Sequence, residues 1–385
     1  MSQRLDLNIF VDALGWTVSE PNAFLPELHA TRQPVRTVLG YSSGAVPTIL
    51  TGVLPDVHGQ WSFFYWDPDQ SPFRYLGVLG FLPHRLAAHH RLRRPISDLV
   101  RRIEGYTGYF NLYAASFKRL PRLNYCEKKD LFAPGGINGC PTIFDAWRQA
   151  NIPFFVSDWR LAEEKNIVLA RQAVRNPMLR TSFIYLPGFD AILHRYGKEG
   201  SIPHLAKYAD AVRSIAAAAQ EVHDEVRIWV FSDHGMANVT RQVDLMGLVE
   251  SLGLIWGKDY AAIYDSTMVR LWYLTDNARS IIEDTLKAAD CGRYLTHDEL
   301  VSMGLHFVGN KYGEAIFLCD PGVLIVPSDM GLGTIAGMHG YSEDDPDSDG
   351  VLLSSHHPPV DVNRINHLND LMRAQAGLGR AAGAP

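Results

Sequence analysis

Cysteine is scarce in this sequence of 385 residues. The four cysteines are Cys126, Cys140, Cys291 and Cys319, and no two of them form a CxxC pair. Such sparse cysteines exclude a disulfide-rich scaffold, so we expect reduced thiols in the core or at the surface.

Long apolar runs and an excess of positive charge are also missing. No segment holds about 18 uninterrupted apolar residues, so we predict no membrane-spanning helix. The first twelve residues, MSQRLDLNIFVD, lack the charged start and apolar stretch of a signal peptide, and the expected location is the cytoplasm. The formal net charge of -6 argues against a broad interface with duplex nucleic acid.

Short apolar runs alternate along the chain with segments of helical spacing. We predict strands over residues 5–11, 152–156, 182–186 and 227–231, and helices over 48–51 and 202–222. This alternation predicts an α/β fold with a mostly parallel central sheet and helices on both faces, in a single domain over 1–385. Two stretches interrupt the pattern, and we interpret 60–150 and 255–330 as insertions that form a cap. The last nine residues, GLGRAAGAP, are expected to fray.

Carboxylates and histidines are concentrated at four separate places. Asp12 and Asp233 follow predicted strands, where ligands of parallel sheets bind. Asp190 and His194 are one helical turn apart and would share a face. Adjacent Asp233 and His234 converge only if the strand ends there, which Gly235 permits. The fourth place is His339. Six such ligands are too many for one closed site and suit two divalent metal ions, with zinc favoured.

A serine pair near residue 42 adds a candidate nucleophile. Ser42 or Ser43 would lie at a helix N-terminus, which favours an anion, and the helix would end at Gly52. A metal-bound serine oxygen has a lowered pKa and can attack phosphorus. The alternative is that these serines only cap the helix, and it would be preferred if the metal ligands were absent.

Taken together, these motifs resemble the alkaline phosphatase superfamily, and most closely its nucleotide pyrophosphatase/phosphodiesterase branch. That branch has a nucleophile ten residues before the Gly of Thr-Gly, then Pro-x-x-His-Gly; Gly52 is ten after Ser42, which selects Ser42 over Ser43. The remaining matches are Asp-x-x-x-His-x-x-Gly at 190–197, Ser-Asp-His-Gly-Met at 232–236 and Gly-x-His-Gly-Tyr at 337–341. The resemblance runs from about residue 5 to 375.

The resemblance implies a division of labour within a two-metal hydrolase. One zinc would be held by Asp190, His194 and His339, and the other by Asp12, Asp233, His234 and the Ser42 oxygen. The implied reaction cleaves a phosphodiester or phosphoanhydride bond of a small-molecule phosphate ester, through a phosphoseryl intermediate.

Two departures from the branch concern its substrate contacts and its nucleophile. Branch members carry an asparagine after His-Gly that holds the phosphoryl group, whereas Phe63 stands in register here, with Gln60 or Ser62 as candidate replacements. The nucleophile is serine where the branch mostly has threonine.

Several alternatives stay open at this point. The same metal core would serve a phosphomonoesterase or a phosphonate hydrolase, or a metal-bound protein that binds ligand without turnover. The ligands would also accept manganese or iron. The basic run 89–94 either contacts an anion or forms a solvated surface, and the aromatic run 61–66 either lines a pocket or packs in a core. The sequence gives no prediction of oligomeric state.

Overall fold

The computed structural model describes residues 4–380, except the side chains of His84, Arg85 and His90. Its strands, in chain order, are β1 (Arg4–Val11), β2 (Thr31–Val35), β3 (Phe64–Trp66), β4 (Leu123–Tyr125), β5 (Phe154–Val156), β6 (Thr181–Leu186), β7 (Glu225–Phe231), β8 (Ala237–Asn238), β9 (Arg241–Val243), β10 (Tyr260–Tyr264), β11 (Met268–Tyr273), β12 (Gly292–Tyr294), β13 (Ala315–Cys319), β14 (Val323–Ile325), β15 (Gly337–Met338) and β16 (Gly350–Ser354).

The helices surround these strands. They are α1 (Trp16–Ser19), α2 (Ser42–Thr51), α3 (Pro55–His58), α4 (His84–Ala87), α5 (His90–Ile103), α6 (Ile143–Gln149), α7 (Glu163–Ala173), α8 (Gly188–Ser201), α9 (Leu205–Gln220), α10 (Leu245–Glu250), α11 (Asp276–Ala288), α12 (His297–Ser302) and α13 (His367–Gln375). Short 3-10 segments lie at Arg74–Leu79, Leu120–Arg122, Ile202–His204, Val308–Asn310 and Pro346–Ser348. Within residues 4–380, no helix has the length and apolar character needed to cross a bilayer.

The central sheet has six strands in the order β2-β16-β7-β1-β6-β5. Strands β7, β1, β6 and β5 are parallel neighbours, and β16 runs antiparallel to both β7 and β2. The predicted α/β fold with a mostly parallel sheet is therefore confirmed, and the four predicted central strands correspond to β1, β5, β6 and β7.

Two hydrophobic cores lie on opposite faces of this sheet. Leu5, Leu7 and Ile9 alternate along β1 and pack with α7, α8 and α9, whereas Phe10 points to the other face and packs with α2, α6 and α13. Since alternate side chains of a strand point to opposite faces, the run of apolar residues buries both sides at once. Each fully buried aliphatic side chain contributes roughly 1.5–3 kcal/mol, so β1 anchors both layers.

The two interrupting stretches pack against each other. Residues of the first, including Phe64 and Phe73, share a core with Ile263 and Trp272 of the second. The second stretch forms an antiparallel sheet in the order β10-β11-β13-β12, with its own core against α10 and α11. The single-domain boundaries over 1–385 stay a prediction.

The helix predicted over 202–222 begins later in the structure than we predicted, at Leu205. A 3-10 segment, Ile202–His204, precedes α9, and Pro203 within it has no N–H to donate to a helical ladder. The helix predicted over 48–51 begins earlier, at Ser42, and ends at Gly52, whose φ of 79° is the left-handed cap that glycine favours. The predicted fraying of the last nine residues lies partly outside the described chain, which ends at residue 380.

Candidate active site

Neighbouring parallel strands bring two aspartates to the same level. In the register of β1 with β7, Phe10 pairs with Phe231, so Asp12 and Asp233 each follow two residues later at the carboxyl edge of the sheet. Both side chains are buried. Asp233 Oδ1 accepts hydrogen bonds from the backbone N–H groups of Ala13 (3.2 Å) and His234 (3.1 Å), and these bonds fix its orientation.

Strand β6, on the other side of β1, leads directly into α8, which carries the second pair. His194 Nε2 lies 3.3 Å from Asp190 Oδ1 across one helical turn. His194 Nδ1 is 2.9 Å from the carbonyl oxygen of Gly337 and donates to it, which leaves the Nε2 lone pair directed at the carboxylate. Two acceptors that face each other in this way call for a cation or a proton between them.

His234 is oriented by the turn that follows β7. Its Nδ1 donates to the carbonyl oxygen of Gly235 at 2.9 Å, so its Nε2 lone pair faces Asp12 and Asp233, at 3.8 and 3.2 Å. Strand β7 ends at Phe231, before this pair, and Gly235 does not have a positive φ. Glycine is needed because a Cβ there would clash with the carbonyl oxygens of Asp347 and Asp349.

The acids and imidazoles form two adjoining groups. Ligand atoms of Asp12, Asp233 and His234 lie within 4.8 Å of one another, as do those of Asp190, His234 and His339. One carboxylate oxygen from each aspartate is buried and accepts no hydrogen bond. Buried carboxylate oxygens without donors are costly unless they face a cation, so these residues fit a pair of divalent metal ions.

His339 completes the second group and joins it to the first. Its ring stacks on that of His234, with centroids 3.8 Å apart, and its Nε2 lies 3.8 Å from Asp190 Oδ1. The ring of His194 is 5.2 Å from that of His339. The structure thus places five of the six predicted ligands in these two groups, with His234 in both, and His194 lies outside the groups but beside Asp190.

The electrostatics of the cluster also favour cations. Burial, reinforced by the charges of Asp233 and Asp190, raises the pKa of Asp12 well above its usual value, and burial raises the pKa of Asp233 to about 7. Burial acts in the same direction on Asp190, but the neighbouring imidazoles of His194 and His339 outweigh it and lower that pKa. A divalent cation would neutralise the charge of all three carboxylates, so that they stay ionised and need not bind protons.

The two serines at the start of α2 have different environments. Ser42 Oγ lies 3.1 Å from His234 Nε2. Ser43 is buried and donates its hydroxyl hydrogen to the carbonyl oxygen of Trp61 at 2.7 Å. Of the two serine hydroxyls, only that of Ser42 therefore reaches the acid and imidazole cluster.

A cavity of about 710 Å³ opens beside the cluster. Its walls include Asp12, Ser42, Asp190, His194 and His339 together with side chains that the sequence did not single out. They include one acidic residue and five aromatic ones, which are Glu127, Tyr109, Tyr113, Phe132, Trp159 and Tyr185. They come from distant segments with no shared motif, so only their packing identifies them.

Tyr185 and Glu127 are two polar members of this wall. The Tyr185 hydroxyl donates a hydrogen bond to Asp12 Oδ2. Glu127 accepts a hydrogen bond from the backbone N–H of Tyr109 at 3.2 Å, and burial raises its pKa to about 8. No described basic side chain forms an ion pair with it, and in its protonated form this carboxyl can donate a hydrogen bond.

Phe63, which stands in register with the asparagine of the branch, lies in the same wall. It stacks on Tyr125 with ring centroids 5.7 Å apart and contacts Tyr113 at 5.2 Å. Neither suggested replacement lines the cavity: Gln60 is buried, and Ser62 accepts a hydrogen bond from Arg270 at 3.0 Å within a buried ion-pair network. The aromatic run 61–66 is therefore mainly core, since only Phe63 of that run contributes to the cavity.

His58, from the Pro-x-x-His-Gly motif, supports α2 from behind. Its Nδ1 accepts from the backbone N–H of Gln60 at 3.2 Å, and its Nε2 donates to Thr48 Oγ1 at 3.0 Å. The Thr48 hydroxyl in turn donates to the carbonyl oxygen of Gly44 at 2.8 Å. The imidazole is neutral in this arrangement, and burial lowers its pKa to about 3.

The buried His58 predicts a measurable pH dependence of stability. A histidine whose pKa is lower in the folded chain than in the unfolded chain stabilises the fold fully above pH 6.5, and this contribution is lost as the pH falls towards 3. We expect the difference in unfolding free energy between wild type and His58→Gln to shrink by about 1.4 kcal/mol per pH unit between pH 6 and 4. Urea unfolding across that range measures it, and two parallel stability curves would contradict it.

The family model for type I phosphodiesterase / nucleotide pyrophosphatase matches residues 95–342, which is more than half of the chain. The match includes Asp190, His194, Asp233, His234 and His339, and begins after Asp12 and Ser42. The chain belongs to this family and is an enzyme of its class, so the predicted resemblance is confirmed.

Solved structures of ectonucleotide pyrophosphatase / phosphodiesterase 5 have a similar fold. The murine protein has a TM-score of 0.67 at 14% identity, covering 98% of this chain and 96% of its own. The human protein has a TM-score of 0.67 at 12% identity, covering 97% and 95%. An inactive variant of the murine protein in complex with AMP has a TM-score of 0.65 at 14% identity, covering 98% and 96%. No curated protein sequence matches the chain.

Proposed function

We propose that this enzyme hydrolyses a phosphodiester or phosphoanhydride bond of a small nucleotide-like molecule, with Ser42 as its nucleophile. The observation that carries the proposal is the place of Ser42 Oγ, 3.1 Å from His234 Nε2 and on the wall of the cavity beside the two groups of ligands. The Ser42 hydroxyl can act as the first nucleophile, and it lies beside side chains that can hold cations.

We also propose that the site takes two zinc ions. Asp12, Asp233, His234 and Ser42 would hold one, and Asp190, His194 and His339 the other, because mixed imidazole and carboxylate sets suit zinc. Bound cations of this kind supply a lowered pKa for a serine hydroxyl and neutralise the developing negative charge. The three buried carboxylate oxygens without donors support this occupancy.

The chain itself positions the reacting groups. Ser42 is the first residue of α2, where the helix dipole favours the negative charge of a phosphoryl group. Its oxygen would form a bond to phosphorus while the bond to the leaving group breaks. Water would then break the bond between phosphorus and Ser42 Oγ and release the phosphate monoester. The hydrogen bonds from His58 through Thr48 to Gly44 hold this helix in place.

The aromatic wall supports a nucleotide as the substrate. Phe63, Tyr109, Tyr113 and Trp159 offer ring faces against which a base can stack, and protonated Glu127 offers a hydrogen-bond donor. The cavity volume of about 710 Å³ is within the range of small-molecule sites. The murine relative was solved in complex with AMP, which is a molecule of this class.

A comparison of a diester and a monoester model substrate tests the reaction class. On the zinc-loaded enzyme we expect kcat/KM for bis-p-nitrophenyl phosphate to exceed that for p-nitrophenyl phosphate by at least about tenfold, because the wall provides binding for a second ester group. A clear preference for the monoester would instead indicate a phosphomonoesterase. If the zinc-loaded protein hydrolyses no activated ester, it is a binding protein and the proposal is wrong.

A further inference from the structure

One segment of the cap has a charge opposite to that of the whole chain. Residues 74–103 contain seven arginines and one acidic residue, Asp98, although the chain carries a net charge of -6. Nothing in the proposed reaction uses this segment, and its side chains do not line the catalytic cavity.

The same segment also exposes large apolar side chains. Seven of the eighteen large hydrophobic or tyrosine side chains that are exposed among residues 4–380 fall within these 30 residues. Phe81 and Val78 are the most exposed of them, at 79% and 75%. Scattered single apolar residues are ordinary on a surface, but such a concentration marks an interaction site.

Helix α5 shows how the charge and the apolar surface are arranged. Its inner face carries Arg93, Ser97 and Val100, all buried, and the guanidinium of Arg93 donates to the carbonyl oxygens of Ala87 (2.7 Å) and Ala115 (2.6 Å). This face anchors the helix to the cap and leaves the outer face to the solvent.

The outer face of α5 divides into two stripes. Leu92, Leu99 and Ile103 are exposed and recur at spacings of seven and four, which places them in one line along the helix. Exposed Arg91 and Arg102 form a second line about a quarter of a turn away, and exposed Arg94 lies nearly half a turn from the apolar line. None of these three guanidinium groups has an ion pair with a described residue.

We propose that this basic–apolar patch, comprising residues 78–103, docks the enzyme on an anionic phospholipid bilayer. A helix with an apolar stripe beside an arginine stripe lies in the plane of a membrane surface, with apolar side chains among the acyl chains and guanidinium groups on the anionic headgroups. Phe81 and Leu86, from the preceding segment, add exposed apolar surface to the same patch.

Two other occupants fit the patch less well. A symmetric dimer would place the same patch of both copies face to face, and its arginines would repel one another. Nucleic acid would satisfy the arginines but would leave the exposed leucine and isoleucine stripe without a role. The proposal is independent of the catalytic function, because it concerns a surface outside the cavity.

Vesicle sedimentation tests the docking. We expect the full chain at 0.1 M salt to sediment with vesicles of 70% phosphatidylcholine and 30% phosphatidylserine at least about tenfold more strongly than with phosphatidylcholine alone. Raising the salt to about 0.5 M should weaken this binding, since screening shortens the reach of the charges. Equal binding to both vesicles, or none to either, would overturn the proposal.

Matched variants assign the binding to the patch. Arg91→Glu/Arg94→Glu/Arg102→Glu and Phe81→Ser/Leu99→Ser/Ile103→Ser should each weaken binding at least about tenfold. The controls Arg148→Glu/Lys165→Glu/Arg171→Glu and Val168→Ser/Val301→Ser/Val308→Ser alter exposed residues elsewhere and should bind like wild type. Unchanged melting temperatures show that all variants fold. Equal losses in patch and control variants, or a wild-type dimer that the serine variant dissociates, would contradict membrane docking.

Discussion

Replacing Ser42 with alanine is expected to abolish turnover. The substitution removes the oxygen that lies 3.1 Å from His234 Nε2 and leaves all six carboxylate and imidazole ligands in place. Loss of an attacking nucleophile lowers kcat by at least about 10⁴-fold, because the remaining groups stabilise charge but form no bond to phosphorus. Steady-state kinetics on a model diester measures the loss, and metal analysis should still find close to two zinc ions per chain.

The neighbouring serine provides the matched control. Ser43→Ala removes a buried hydrogen bond to the carbonyl oxygen of Trp61, so it should reduce stability by about 1 kcal/mol. Its turnover should stay within about tenfold of wild type, since the Ser43 hydroxyl points away from the cluster. An active Ser42→Ala together with an inactive Ser43→Ala would show that the nucleophile has been assigned wrongly.

The second large effect is expected for Asp233→Asn. The asparagine can keep both backbone hydrogen bonds at its Oδ1 but replaces the ligand oxygen that has no donor by an amide. Zinc content should fall by about one ion per chain, and kcat/KM by at least about 10³-fold, because a charged ligand is lost. Atomic absorption and the diester assay measure these two changes.

Metal also determines how this substitution affects stability. At a free zinc concentration 100 times the dissociation constant, zinc binding raises the unfolding free energy of wild type by about 2.7 kcal/mol. The variant should lose most of this stabilisation. In the presence of a chelator, the variant should be more stable than wild type by about 1 kcal/mol. The reason is that Asp233→Asn relieves repulsion with Asp12 and Asp190. The exposed control Asp320→Asn should change neither measurement. A variant that is equally destabilised with and without zinc would contradict a metal role for Asp233.

The local motifs of the ligands could be predicted well from the sequence. Asp190 and His194 share a helical turn, and Asp12 and Asp233 follow apolar strands, so short-range periodicity places each at a defined point of its own element. The choice of Ser42 came from spacing within one segment, and its role as the nucleophile stays a prediction. In the structure the Ser43 hydroxyl is engaged in a hydrogen bond to Trp61. The cytoplasmic location stays a prediction.

Other features depend on contacts between distant segments. Glycine follows His234 because of the approach of the 347–349 loop, a reason that the local sequence does not contain. The place of His234 between both groups of ligands, and the use of Phe63 as a wall of the cavity, likewise follow from elements that are far apart in the chain. No periodicity connects Tyr109, Glu127 and Trp159, which lie in one wall only after the cap has packed on the sheet.

By itself, the sequence determined the parallel sheet, the strand ends that carry the acids, and the serine at the start of a helix, because each depends on neighbours within a few residues. The tertiary structure alone decided which buried oxygens lack donors, what forms the wall of the cavity, and that the arginines of α5 lie beside an exposed apolar stripe. These properties depend on burial, and burial is decided by the packing of segments that are distant in the chain.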